Sequence, residues 1–153
     1  MGKNKNALRK HFIGPYNPEA PTTEPTQDNY LWLAKDITSS SPEIEEETEE
    51  EADFAGDGTP ITTVSSVKRG RTFEGVRNVG DKAQDFIAAL EDEVGDSRLV
   101  WYKEVSADGK TAKSGVATVS EIEIGDGDAK EFEKFKCKIT WNQKPKKVSI
   151  IPG

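Results

Sequence analysis

Near the C-terminal end of this sequence, Phe135, Cys137, Ile139 and Trp141 alternate strictly with Lys134, Lys136, Lys138 and Thr140. A period of two is the repeat of a β-strand, whose successive side chains leave opposite faces. One face of this segment is therefore apolar and the other is mostly lysine. Such a strand needs a sheet to receive it, and the composition agrees. Ten Ile and ten Val stand against five Leu, and β-branched side chains suit a pleated surface better than a helix. With six Phe added, these residues make up about a fifth of the 153, close to the lower limit for a chain that folds unaided. That length suits one domain, because two smaller cores would each bury too little surface. The expectation is a compact sheet with polar extensions that become ordered against partners.

The remaining elements can be placed around that strand. Leu99 to Tyr102 begins a strand, Asp108-Gly109 marks a hairpin turn, and Val116 to Ile124 returns. Gly125 to Asp128 then turns the chain into the alternating strand. Further upstream, Tyr30 to Ile37 reads as a strand with Leu31, Leu33 and Ile37 on one face. Pro60 to Val76 reads as another, but its alternation breaks between Ile61 and Val64 and again between Val64 and Val67. Gly70 and Gly75 point to a bulge or bend within it. One helix is predicted over 81–94, with Asp81 as N-cap and Gln84 completing a capping box. Its apolar stripe is Ala83, Phe86, Ile87, Leu90 and Val94, and Gly95 closes it. The predicted fold is mainly β with one flanking helix: a β-sandwich or open barrel spanning residues 29–142.

Three segments fall outside this pattern. Residues 1–28 carry Lys3, Lys5, Arg9 and Lys10, and then Pro15, Pro18, Pro21 and Pro25. They read as an extended arm, either a disordered terminus or a segment that docks on a neighbouring subunit with Phe12, Ile13 and Tyr16 as its anchors. Residues 39–58 hold nine acidic side chains, from Glu43 to Asp57, and no basic one. The whole chain carries −7, so without that block it would carry +2. A long solvated loop over 38–60 is the expectation. Residues 143–153 read as a tail with Lys146 and Lys147 followed by Val148, Ile150 and Ile151.

Several function classes find no support. Cys137 and His11 each stand alone, so neither an internal disulfide nor a Cys/His zinc cluster can form. No P-loop or dinucleotide fingerprint occurs. Asp126 and Asp128 alternate with glycines, but the other ligand positions of a calcium loop are missing. No apolar run approaches the roughly 20 residues that span a bilayer, and the basic N-terminus has no apolar stretch behind it. The chain is expected to have no enzymatic activity, metal or cofactor, and to be made in a reducing cytoplasm. Trp32, Trp101 and Trp141 leave open an alternative, a small carbohydrate-binding or host-recognition module.

Thr72 to Ile87, the Trp101 strand, the Phe135 to Asn142 strand and the β-loop-β-α-β-β-β order together resemble the major tail proteins of long-tailed phages infecting Gram-positive bacteria. The resemblance covers about residues 29–142. It implies hexameric rings stacked into a hollow tail tube that conducts genomic DNA, in a virion assembled in the host cytoplasm. It also implies edge-to-edge pairing of sheets between subunits, and contacts to tape measure, terminator and distal tail proteins. The long loop near 38–60 and the terminal arms would reach adjacent rings. Two roles stay open for the acidic residues. Glu45, Glu46, Glu49 and Glu50 could meet lysines such as Lys3, Lys5, Lys146 or Lys147 between rings. Alternatively, Glu43 to Glu51, with Glu121 and Glu123, could line the lumen and repel DNA.

Overall fold

A computed structural model describes residues 2–150 of the chain; Ile151 of the expected tail lies outside them. The elements in order are β1 (Lys10–Pro15), β2 (Leu31–Trp32), β3 (Ile37–Glu51), β4 (Ile61–Val76), α1 (Lys82–Ala88), β5 (Leu99–Val105), β6 (Thr111–Asp126), β7 (Lys134–Trp141) and β8 (Lys146–Ser149). All eight strands join one antiparallel sheet, ordered β2-β1-β5-β6-β7-β4-β3, with β8 paired to β6. The sheet does not close: β3 at one end and β2 at the other each have a single strand neighbour.

β7 follows its sequence pattern. Phe135, Cys137, Ile139 and Trp141 are buried, and the residues between them are not. Each such buried apolar side chain contributes about 1.5–3 kcal/mol. Among their partners on β4 and β6, Phe73, Ala117 and Val119 are fully buried. The sheet curls over this core, because β1 and β5 face β4 without being its neighbours in the ladder. His11 meets Phe73 edge to face at 4.9 Å between ring centroids, and Tyr102 meets Phe73 at 6.2 Å. The result is an open barrel with α1 on its flank.

The helix is shorter than the predicted 81–94. Asp81 accepts a hydrogen bond from the Gln84 backbone N at 3.1 Å, but Gln84 does not return one to Asp81. Its side chain is wholly buried. It accepts from the Asn78 backbone N at 2.8 Å and donates to the carbonyls of Val76 and Lys35. Gln84 therefore ties the helix to the end of β4 and to the loop before β3. The helix stops at Ala88, where Glu91, Asp92 and Glu93 would continue it. Acidic side chains are unfavourable at the negative end of the helix dipole. Arg98 gathers the carbonyls just beyond the helix end, donating to those of Glu91 and Glu93 and also to that of Val119. Val94 is 81% exposed and belongs to no helical stripe.

The three segments expected to lie outside the body are folded too. Residues 1–28 are not a free arm: β1 pairs with β5 over six residues, and Ile13 is fully buried. The proline-rich stretch after it lies as a strap over the outer face of β1, β5 and β6. Tyr30 donates to Glu24 at 2.8 Å, Glu24 also accepts from Ser114, and Lys103 donates to Gln27. Gly14 is the floor of this contact, because a Cβ there would lie 3.1 Å from both Pro25 and Tyr30. The predicted strand at Tyr30 to Ile37 shrinks to Leu31–Trp32, with Trp32 turned to solvent. Lys146 and Lys147 of the expected tail are strand residues opposite Ser114 and Lys113. The acidic loop over 38–60 is in fact mostly a two-stranded ribbon, β3 against β4.

Candidate assembly interface

The ribbon begins at Gly70. Residues 70–75 of β4 pair with β3 on one side and β7 on the other, whereas 61–69 pair with β3 alone. A Cβ at Gly70 would lie 2.2 Å from the Ile139 carbonyl oxygen and 2.7 Å from Thr140 Cα. Only glycine permits the approach at which β4 enters the sheet. Beyond it, nine residues at about 3.3 Å each carry the ribbon about 30 Å away from the three-strand contact.

The register divides the ribbon into two faces. Ile44, Glu46, Thr48 and Glu50 lie opposite Arg69, Val67, Val64 and Thr62 on one face. Glu43, Glu45, Glu47, Glu49 and Glu51 lie opposite Gly70, Lys68, Ser66, Thr63 and Ile61 on the other. A bulge after Glu47 inserts one extra residue in β4, and the Ser65 hydroxyl donates to the Glu47 carbonyl there. This bulge accounts for the broken alternation between Val64 and Val67, since it returns both to the same face. Ile44, Val64 and Val67 stay half exposed, at 52, 53 and 51%.

Each face continues a face of the body. The Val64–Val67 side runs on through Arg71 and Phe73 into the barrel interior. The glutamate side runs on into a polar cleft lined by Glu43, Thr72, Glu74, Glu121, Lys136 and Lys138. There Lys136 lies 3.6 Å from Glu74 and 3.9 Å from Glu123, and Lys138 lies 3.9 Å from Glu121. Glu121 sits at a second bulge with φ +51°, so Glu121 and Glu123 both reach this face.

A charged cluster holds the ribbon's root. Arg71 Nε donates to Glu104, Arg71 also donates to Ser40, and Arg9 lies 3.6 Å from Glu104. Beside them His11 Nδ1 and the Tyr102 hydroxyl are hydrogen-bonded at 2.8 Å, out of solvent. Burial, and then the neighbouring Arg71 and Arg9, push the His11 pKa down to about 3. Burial likewise pushes the Cys137 thiol up to about 12, so it is a core side chain with little thiolate character.

The residues expected to form an interface are thus dispersed. Glu45 and Glu49 lie on one ribbon face and Glu46 and Glu50 on the other. Ile13 is core. Phe12 is half buried under Tyr30 at 6.4 Å, and Tyr16 is half buried. Lys146 and Lys147 are exposed on β8. Trp101 and Trp141 are buried while Trp32 is exposed, so the three tryptophans form no common platform. The valine side of the ribbon was missed, although the parity break between Val64 and Val67 carried its signal.

No family model and no curated protein matches the chain in sequence. Solved structures do match its shape. A subunit from the tail of an empty gene transfer agent particle, refined helically with C6 symmetry, superposes with a TM-score of 0.68 at 9% identity, over 94% of this chain and 98% of that one. The fold is that of tail tube subunits. The SPP1 tail tube subunit matches with a TM-score of 0.63 at 17% identity, over 98% of this chain and 81% of the other. A chain of the PVC sheath–tube complex, an extracellular contractile injection system in its extended state, matches at 0.55 and 11% identity, over 97% and 93%.

Proposed function

We propose that this chain is a structural subunit of a phage-type tail tube, polymerising as stacked sixfold rings around a lumen that conducts DNA. One observation carries the reading: besides the short β2 and β8, the sheet has two long unfinished edges. Among the described residues, β3 has no neighbour on its outer side, and β5 reaches only Thr118 of β6, leaving residues 119–126 partnered by β7 alone. Exposed edges invite uncontrolled pairing in a monomer. Joining the β3 edge of one copy to the β6 edge of the next closes them in a ring. The shared fold with subunits of assembled tails supports this.

In such a ring the polar face, with Glu121, Glu123 and the glutamate side of the ribbon, borders the lumen. Lys136 and Lys138 are engaged with Glu74, Glu121 and Glu123, and carboxylates outnumber lysines on this face, so duplex DNA is held weakly. The ribbon projects to the adjacent ring, and tape measure, terminator and distal tail proteins meet the tube ends. Negative-stain microscopy of concentrated purified protein tests the proposal. Hollow tubes or rings are expected; discrete globules at every concentration would refute it. The Glu45, Glu46, Glu49 and Glu50→Gln variant then separates the two roles of the acids. Poor assembly indicates contact between rings, and normal tubes with slowed DNA ejection indicate the lumen.

A further inference from the structure

The two ends of the open sheet, β2 with β1 and the root of β3, face each other across a seam. A cavity of about 340 Å³ lies in it, with Arg9, His11, Trp32, Leu33, Ser39 and Ser40 among its walls. Arg71 crosses the seam, donating to Ser40 on β3 and to Glu104 on β5. Two donors in the walls have no hydrogen-bond partner among the described residues. Arg9 approaches only Glu104, at 3.6 Å, and Arg71 already engages that carboxylate. His11 is 8% exposed, and its Nδ1 is tied to the Tyr102 hydroxyl. That hydroxyl is fully buried with no other partner, so its hydrogen points at Nδ1. The ring is neutral, and its own proton therefore sits on the unpartnered Nε2.

We infer that this seam binds a small organic anion, a flat apolar body bearing one carboxylate or phosphate group. The charge of the site selects the anion. Arg9 and Arg71 against Glu104 leave one positive charge, and among the described residues no carboxylate lines the cavity. A guanidinium fork with free N–H groups matches either anionic group, and the His11 Nε2–H adds a fixed donor beside it. The rest of the wall selects the body. Trp32 is 55% exposed and offers an aromatic face, and Leu33, almost fully buried, extends it inward. The volume is that of a small-molecule site, and the mouth of a β-barrel is a usual place for one. A sugar, rich in hydroxyls, would leave the apolar wall unused, and a cation would meet the excess positive charge.

The test titrates the full chain, kept dilute enough to be monomeric, with naphthoate, naphthyl phosphate, naphthol, acetate and inorganic phosphate. Binding is read by calorimetry and by the indole N–H resonances. Naphthoate or naphthyl phosphate should bind and shift the Trp32 resonance, while those of the buried Trp101 and Trp141 stay in place. The tighter of the two identifies the anionic group. Naphthol, which lacks the charge, and the two small anions, which lack the body, should each bind about tenfold more weakly or worse. Arg9→Gln should weaken the naphthyl anion about tenfold. Circular dichroism should show its fold intact, because Arg71 still engages Glu104. Trp32→Ala, at an exposed position, should remove the advantage of the naphthyl body. Lys130→Gln deletes one charge from the exposed β6–β7 loop and should change affinity less than about twofold. Naphthol binding as tightly as naphthoate, or an Arg9→Gln protein binding like wild type, would overturn the inference. So would the absence of binding by every anion at millimolar concentration.

Discussion

Two polar segments of this protein look alike on paper and end differently. The strap, residues 16–30, and the ribbon, residues 43–69, are both poor in core-forming side chains and both border the sheet. The strap is held by a few specific ties: Tyr30 and Pro25 over Gly14, Glu24 receiving Tyr30 and Ser114, and Gln27 receiving Lys103. The ribbon makes almost no such ties to the body and is ordered by its own backbone ladder. The strap thus spends its apolar groups on its own chain, whereas the ribbon leaves Ile44, Val64 and Val67 unspent. Low hydrophobicity by itself does not make an arm; what matters is where the few apolar groups go.

The difference can be broken most severely at the ribbon's root. Gly70→Ala forces a Cβ onto the backbone of Ile139 and Thr140, and one of the two strands must move. The expected loss of stability is on the order of 4 kcal/mol, measured by urea unfolding of the monomer, with the β4–β7 amides losing exchange protection first. A loss below about 1 kcal/mol would show that the ribbon pivots freely, contrary to the packing described. The strap should cost less to break. Tyr30→Ala removes a buried aromatic and frees Glu24, for about 3 kcal/mol. Proteolysis should then cut within residues 16–30 while the ribbon's susceptibility stays unchanged. Equal new cleavage in both segments would mean that strap and ribbon are coupled.

How much of this was legible follows the same division. The alternation of β7 and the meander from Leu99 to Trp141 could be read because each strand buries one face of a single core, and burial writes period two into sequence. The arm reading of residues 1–28 failed because proline spacing reports backbone stiffness, not what the stiff segment lies against. Ile13 reads with Phe12 and Tyr16 as an anchor for a neighbour, because its own ladder partner, Tyr102 on β5, lies some ninety positions away. The loop reading of 38–60 failed for a different reason. A ribbon exposed on both sides needs no hydrophobic alternation, so nine acids concealed a regular ladder. Gln84 gave a capping-box signature, but its amide is committed to Asn78, Val76 and Lys35. Those partners are set by tertiary packing, which local spacing does not encode.

His11, next to both segments at the root, offers a finer measurement. Its pKa lies near 3 when folded, against 6.5 for the ordinary side chain. The unfolded chain therefore binds a proton that the folded one refuses, in the interval between those values. Stability is fully present above pH 6.5 and falls as pH drops through that window. Between pH 7.5 and pH 5 the expected contribution is about 2 kcal/mol, read from urea midpoints. His11→Gln should flatten that part of the profile, whatever it costs at neutral pH. An unchanged slope would place the acid sensitivity elsewhere in the chain.

The smallest effect is expected where the charge density is highest. Along the glutamate face, successive carboxylates are two residues apart, about 7 Å. At physiological salt that separation is comparable to the Debye length, and the side chains reach freely into water. Glu45→Gln with Glu49→Gln should therefore move the monomer's thermal midpoint by less than about 2 °C. The change should be upward, because repulsion is relieved, and it should vanish at 1 M salt. Amide exchange in β3 should slow slightly while exchange in the strap stays the same. A large downward shift would mean that these carboxylates hold the ribbon together through contacts with Lys68. The ribbon would then be, like the strap, a segment fastened by side chains.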